Sequence, residues 1–114
     1  MNREIEQLFN DFNVDGVDIP IAFIRYRGNL KTFITYHEID NQPRMEADNK
    51  PIYSVSEFDF DIYTDGNYLN IVSEVKKILI NNDYVWIEDS PDMFEEDTRL
   101  YHKTITFAKE RSVI

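Results

Sequence analysis

The 114-residue chain predicts an α+β fold: a mostly antiparallel sheet of four to five strands packed with two helices, in the order α-β-β-β-α-β-β. Three observations predict it. Two stretches, one near the start and one after Gly66, repeat apolar residues at the period of a helix. Several others are rich in β-branched and aromatic residues, and one alternates strictly. The three glycines all fall at junctions between such stretches.

The elements follow in order. Residues 3–12 place Ile5, Leu8, Phe9 and Phe12 on one helical stripe, and Gly16 is read as the turn that ends this helix. Ile19 to Arg27 (IPIAFIRYR) and Lys31 to Ile39 (KTFITYHEI) read as two strands, with Gly28 as a hairpin turn between them. Pro20 suits a strand start or an edge. Ile39 to Pro51 (IDNQPRMEADNKP) reads as a long loop, and loops of that length are usually functional. Ile52 to Tyr63 is a long strand with Phe58, Phe60 and Ile62 on one face and Asp59 and Asp61 on the other.

Asn67 to Asn82 is the strongest helix. Tyr68, Val72, Val75 and Leu79 line one face, and Asp65 or Asn67 is placed to cap its start. Tyr84 to Asp89 (YVWIED) is the next strand, SPDMFEEDT an acidic connection, and Leu100 to Lys109 the last strand. The length suits a single domain, residues 1–114, with a core that requires no covalent staples.

Zero cysteines exclude disulfides, thiolate zinc sites and cysteine nucleophiles. The charged start MNREIEQLFNDF lacks the apolar centre of a signal peptide, and no apolar run approaches the ~20 residues of a membrane helix. The expectation is a soluble, cytoplasmic product without membrane contact. Twelve basic residues against 22 acidic ones give a net charge of −10, which repels phosphate backbones and argues against sequence-specific nucleic-acid binding.

Four patterns invite chemistry. DFNVDG begins like a calcium-binding EF-hand loop, but the twelfth position is Ala22 rather than a bidentate glutamate, and Pro20 forbids a second helix. Asp59 and Asp61 share a strand face and could share a cation, with Glu38, Asp40 and a histidine as the further ligands an enzyme would need. The alternative is the solvated face of an amphipathic strand. His37 and His102 lack the paired spacing of a metal site. No nucleophile-elbow, P-loop or dinucleotide motif occurs, so neither a catalytic residue nor a cofactor is expected.

What remains is surface for partners. Pro43, Arg44 and Met45 in the 39–51 loop, with Met93 and Phe94 in the acidic connection, are the candidate protein-interface residues. The apolar ones stand in polar segments, where they either anchor contacts or cap the core locally.

The order of three long segments carries a resemblance: IPIAFIRYRGNLKTFITYHEIDNQP, YSVSEFDFDIYTDGNYLNIVSEVKKIL and WIEDSPDMFEEDTRLYHKTITF. From about Ile19 to Lys109 the chain resembles the tail terminator proteins (also called tail completion or tail-to-head joining proteins) of long-tailed phages and prophages of Gram-positive bacteria. The clearest points are Gln42-Pro43, the DIYTDGNY junction and the strand start from Asp97 to His102. The resemblance implies an α+β fold with no catalytic chemistry. It implies a ring, typically a hexamer, that caps the tail tube and docks with head-completion proteins. The location implied is the head–tail interface of the virion, reached from the host cytoplasm. The acidic charge then suits a lumen through which DNA slides. The rival expectation is a monomeric acidic inhibitor or DNA mimic.

Overall fold

The computed structural model describes residues 1–45 and 51–112. The elements run α1 (Arg3–Leu8), β1 (Asn13–Val14), β2 (Val17–Asp18), β3 (Ile21–Phe23), β4 (Phe33–Met45), β5 (Pro51–Thr64), α2 (Leu69–Asn81), β6 (Val85–Asp89), β7 (Met93–Glu95) and β8 (Leu100–Ser112). The α+β class holds, with two helices on one face of a sheet. The expected element order and strand count do not. The main sheet has six strands, ordered β3-β4-β5-β8-β6, with β7 also paired to β8.

α1 is shorter than its apolar stripe. The Asn2 side chain accepts from the Ile5 N–H at 3.0 Å, and Glu4 and Glu6 sit in the first turn where the helix dipole favours them. Phe9 caps the helix, and Asp11 turns the chain with φ 58°. Gly16 does not end this helix. Asp15 (φ 53°) and Gly16 (φ 82°) form the two-residue turn of the β1–β2 hairpin, the positive-φ pair that a type I′ turn demands.

Nor is Gly28 a hairpin turn. β3 and β4 pair parallel, Ile21 opposite Ile34 and Phe23 opposite Tyr36. The chain leaves β3 through a tight turn at Ile24 (φ 62°), where the Arg25 N–H donates to the Phe23 carbonyl at 2.6 Å. Residues 24–32 then return to the start of β4. Gly28 is small because the Tyr26 ring occupies the place a Cβ would take. The sheet is therefore mixed, with the parallel pair β3–β4 beside antiparallel ones.

Of the expected 39–51 loop, residues 39–45 and 51 are strand, and 46–50 lie outside the described residues. β4 continues to Met45 and pairs with β5 from Phe33–Tyr63 out to Arg44–Tyr53, across an irregularity between Glu38 and Asp40. Its Asn, Gln, Pro and Arg residues look turn-rich in sequence because this part of the sheet has no core to cover. Pro43 is tolerated because β3 pairs β4 only at residues 34–36, and no other described strand lies on that edge of β4 beyond them. The acidic connection 90–98 likewise contains a strand, β7.

α2 buries Ile71, Val72, Val75 and Leu79. Asn67, not Asp65, supports its start: Asn67 Oδ1 accepts from the Leu69 N–H at 2.8 Å. Its end is a Schellman turn, with Asp83 N–H to Ile80 O, Tyr84 N–H to Leu79 O and Asp83 in the left-handed region (φ 69°). The core lies between helices and sheet, centred on Phe60, whose ring meets Phe9, Tyr36, Phe58 and Phe107 at centroid separations of 6.2–6.4 Å.

Candidate functional site

The helix-free face of the sheet carries the histidines and the Asp59/Asp61 pair. The alternation Phe58, Phe60, Ile62 inward against Asp59, Asp61, Tyr63 outward places them there, and register aligns their neighbours. Asp59 lies between His37 and Thr106, and Asp61 between Thr35 and Thr104. Thr106 Oγ1 donates to Asp59 at 2.6 Å, and Thr104 Oγ1 donates to Asp61 at 2.5 Å. The His102 ring lies between carboxylates, Nε2 at 2.9 Å from Asp61 and Nδ1 at 3.2 Å from Glu95. His37 Nδ1 is 3.8 Å from Asp61.

Aromatic rings extend this row across the sheet. Tyr26 stacks on Phe33 at 4.4 Å, Phe33 on Tyr63 at 4.9 Å, and Tyr63 on His102 at 4.2 Å. Burial, with the charges of Asp61 and Glu95, pushes the Tyr63 hydroxyl up to about 12. Each carboxylate is thus engaged by a threonine, and the row ties loop, β4, β5, β8 and β7 together. Glu38, the further ligand an enzyme would need, pairs with Phe58 on the helix side of the sheet. Asp40 accepts from Gln42 instead. Among the described residues, no group of three or more His, Asp or Glu side chains is placed to hold a metal ion.

The side chains of the DFNVDG stretch are also occupied by the fold. Asn13 Oδ1 accepts from the Gly16 N–H, Asn13 Nδ2 donates to Asp18, and Asp15 accepts from Asn70 on α2.

The candidate interface residues fall into two groups at opposite ends of β8. Pro43 and Arg44 lie on β4 opposite Ser54 and Tyr53, and Met45 ends that strand. Here β4, β5 and the last residues of β8 form a three-stranded polar arm, tied to α1 by Arg111 and Glu4, and residues 41–44 are all exposed. Met93 and Phe94 lie on β7 opposite His102 and Tyr101. Phe94 packs edge-on against Tyr101 at 5.1 Å, and both stay over 40% exposed. Beside them a hollow of about 610 Å³ is bordered by Asn67, Tyr68, Leu69 and Asp92. Tyr101 and Ser112, which mark the two ends, stand eleven residues apart on β8 (112 − 101), about 36 Å at strand rise.

Two features escaped the reading of the sequence. The first is the aromatic row, invisible because its members come from four segments. The second was legible. Residues 19–37 contain Arg25, Arg27 and Lys31 and no acid, whereas residues 78–98 contain seven acids and no lysine or arginine. The fold sends these stretches to opposite edges of the sheet.

No protein-family model and no curated protein matches the chain. Among the described residues, no helix is long and apolar enough to cross a membrane.

Proposed function

We propose that the chain is a structural protein of a phage or prophage tail, which caps the tail tube as a ring and joins tail to head. The observation that carries this function is a sheet left unfinished at both ends of its long axis. At one end the polar arm of β4, β5 and β8 contributes none of its described residues to the hydrophobic core. At the other, Leu69, Phe94 and Tyr101 leave apolar area uncovered, with exposures of 65%, 41% and 44%. A protein seated between a tube and a head connector requires two such contact ends on one subunit. The partners are then further copies of itself, a hexamer by the resemblance, together with tail-tube protein and head-completion proteins. The work is binding, without catalysis or cofactor. A net charge of −10 keeps DNA moving through the ring rather than adhering to it.

The acidic stretch 78–98 also favours a second reading, a monomeric DNA mimic or inhibitor. Against it stands the basic segment 25–31 at the opposite edge of the sheet, which confines the acidic surface to one side of the molecule.

Deleting the gene from the phage or prophage that carries it should yield unjoined heads and tails, with restoration by the supplied protein. Electron microscopy of purified tubes mixed with the protein should show a ring at one tube end. Normal particles after deletion, or bare tube ends with the protein present, would exclude the joining role.

A further inference from the structure

The two edges of the main sheet differ in sign. On the β3 side, Arg25, Arg27 and Lys31 follow the strand directly, and all three are exposed. On the β6–β7 side stand Asp83, Glu88, Asp89, Asp92, Glu95, Glu96 and Asp97. Three of these have partners within the chain: Asp89 pairs with Lys76 at 2.7 Å, Asp92 pairs with Lys103 at 3.1 Å, and Glu95 lies 3.2 Å from the His102 ring. Asp83, Glu88, Glu96 and Asp97 are exposed and enter no ion pair among the described residues. The same holds for Arg25, Arg27 and Lys31.

Each edge also carries apolar surface among its charges. β6 exposes three consecutive large residues, Val85 at 61%, Trp86 at 50% and Ile87 at 47%. The Trp86 ring is held in place, with Lys76 Nζ 4.5 Å over it and its Nε1–H donating to Asp89 at 2.9 Å. The β3 side exposes Phe23 at 36%, Ile24 at 61% and Leu30 at 51%. Among the described residues, β3 and β6 are the outermost strands, and each has a single strand partner. Open edges with exposed apolar side chains are a hazard for a free monomer, which ordinarily blunts them with bulges, prolines or lysines. β6 has no lysine of its own, and its irregular pairing between Trp86 and Glu88 still leaves Val85, Trp86 and Ile87 exposed.

We infer that copies of this chain join head to tail through these edges, the acidic β6–β7 edge of one against the basic β3 edge and loop 24–32 of the next. Resting on the ring assembly proposed above, it assigns the subunit interface to particular residues. The second copy is the fitting occupant because the chain itself supplies both the cations and the anions that lack partners. Four inter-strand steps separate the edges, about 19 Å, so one subunit cannot satisfy itself. A contact between two different patches is heterologous and propagates from copy to copy, which closes into a ring when the rotation per copy allows. Val85, Trp86 and Ile87 then cover Phe23, Ile24 and Leu30, with the free charges of both edges facing each other around them.

The test uses charge reversal of exposed, unpaired side chains. One variant carries Arg25→Glu, Arg27→Glu and Lys31→Glu; the other carries Glu88→Lys, Glu96→Lys and Asp97→Lys. Sedimentation equilibrium should find the parent chain associating and each variant weakened at least tenfold. An equimolar mixture of the two variants should associate again, and high salt should weaken the parent. Because the chain has no cysteine, Leu30→Cys and Ile87→Cys chains give a second readout independent of the charge variants. Mixed and oxidised, they should form mostly mixed disulfide dimers. Equal amounts of like-with-like dimers, variants that associate as the parent does, or a parent monomeric at several hundred micromolar would overturn the edge contact. Rings on tail tubes that survive both reversals would overturn this contact and leave the joining function standing. Edge-dependent oligomers that never bind tubes would do the reverse.

Discussion

The Tyr84 hydroxyl donates to Glu4 Oε1 at 2.6 Å, joining the first helix to the end of the second across 80 residues of sequence. Arg111 on β8 reaches the other oxygen of the same carboxylate at 3.2 Å. Three distant segments thus meet at one half-exposed acid, and Glu4 is held below the ordinary carboxylate range, first by the Tyr84 hydrogen bond and then, against the effect of burial, by Arg111.

A depressed folded-state pKa contributes stability above the unfolded value, near 4.5, and loses it as pH falls through the lower folded value. Tyr84→Phe should therefore cost about 1 kcal/mol at neutral pH, a small value because the Glu4 side chain is 41% exposed. It should also flatten the decline as pH falls below the unfolded value, by removing the largest cause of the shift. Urea midpoints measured across that range would decide, and a variant as acid-sensitive as the parent would refute the assignment.

At the alkaline end the sign reverses. Burial foremost, with the Glu6 carboxylate, pushes Tyr36 up to about 12, and burial does the same to Tyr63. A raised folded value leaves stability intact below the unfolded pKa near 10 and removes it as pH climbs from there toward 12. Tyrosinate absorbance should accordingly rise in two phases, with the buried phenols ionising late or only on unfolding. A single phase near pH 10 in a folded protein would contradict the buried position of Tyr36 and the half-buried one of Tyr63.

Phe60 has no exposed surface and touches four other aromatic rings. Phe60→Ala removes those contacts and leaves a cavity, with an expected cost of about 3–5 kcal/mol. That is a large fraction of the stability of a domain this size, so the variant should unfold at much lower denaturant concentration.

Gly16 and Gly28 should fail for different reasons. Gly16→Ala meets no neighbour but sits at φ 82°, so its cost, about 1 kcal/mol, is the backbone's alone. Gly28→Ala meets the Tyr26 ring and would displace it from Phe33. The harm done by Gly28→Ala should then largely vanish in a Tyr26→Ala background, while that of Gly16→Ala should not. A double-mutant cycle by thermal unfolding separates them.

Periodicity found both helices because their apolar faces pack on one local core: Ile5 in α1 with Phe9 at its C-cap, and Val72, Val75 and Leu79 in α2. It found β5 because its phenylalanines and aspartates face opposite sides of a half-covered sheet. It misplaced the end of β3, whose run IPIAFIRYR stays strand-like in composition after the chain has left the sheet at Ile24. It also took Ile39–Met45 for loop, because an arm without a core needs no apolar residues. Of the candidate interface residues, the polar context of Phe94 was a sound signal of exposure, whereas the aromatic row from Tyr26 to His102 left none.

The sequence by itself determined the α+β class, the two helices, the long alternating strand and the opposed charges of residues 19–37 and 78–98. Those properties reside in residues close along the chain, where side-chain period and composition record which face is wet. Tertiary structure alone decided that β3 runs parallel to β4, that β6 and β7 share one side of β8, and that the basic and acidic segments become the two edges of one sheet. Strand order is a choice among long-range backbone hydrogen bonds, and every strand offers the same donors and acceptors. Only the joint packing of Phe9, Tyr36, Phe60 and Phe107 under the helices selects among them.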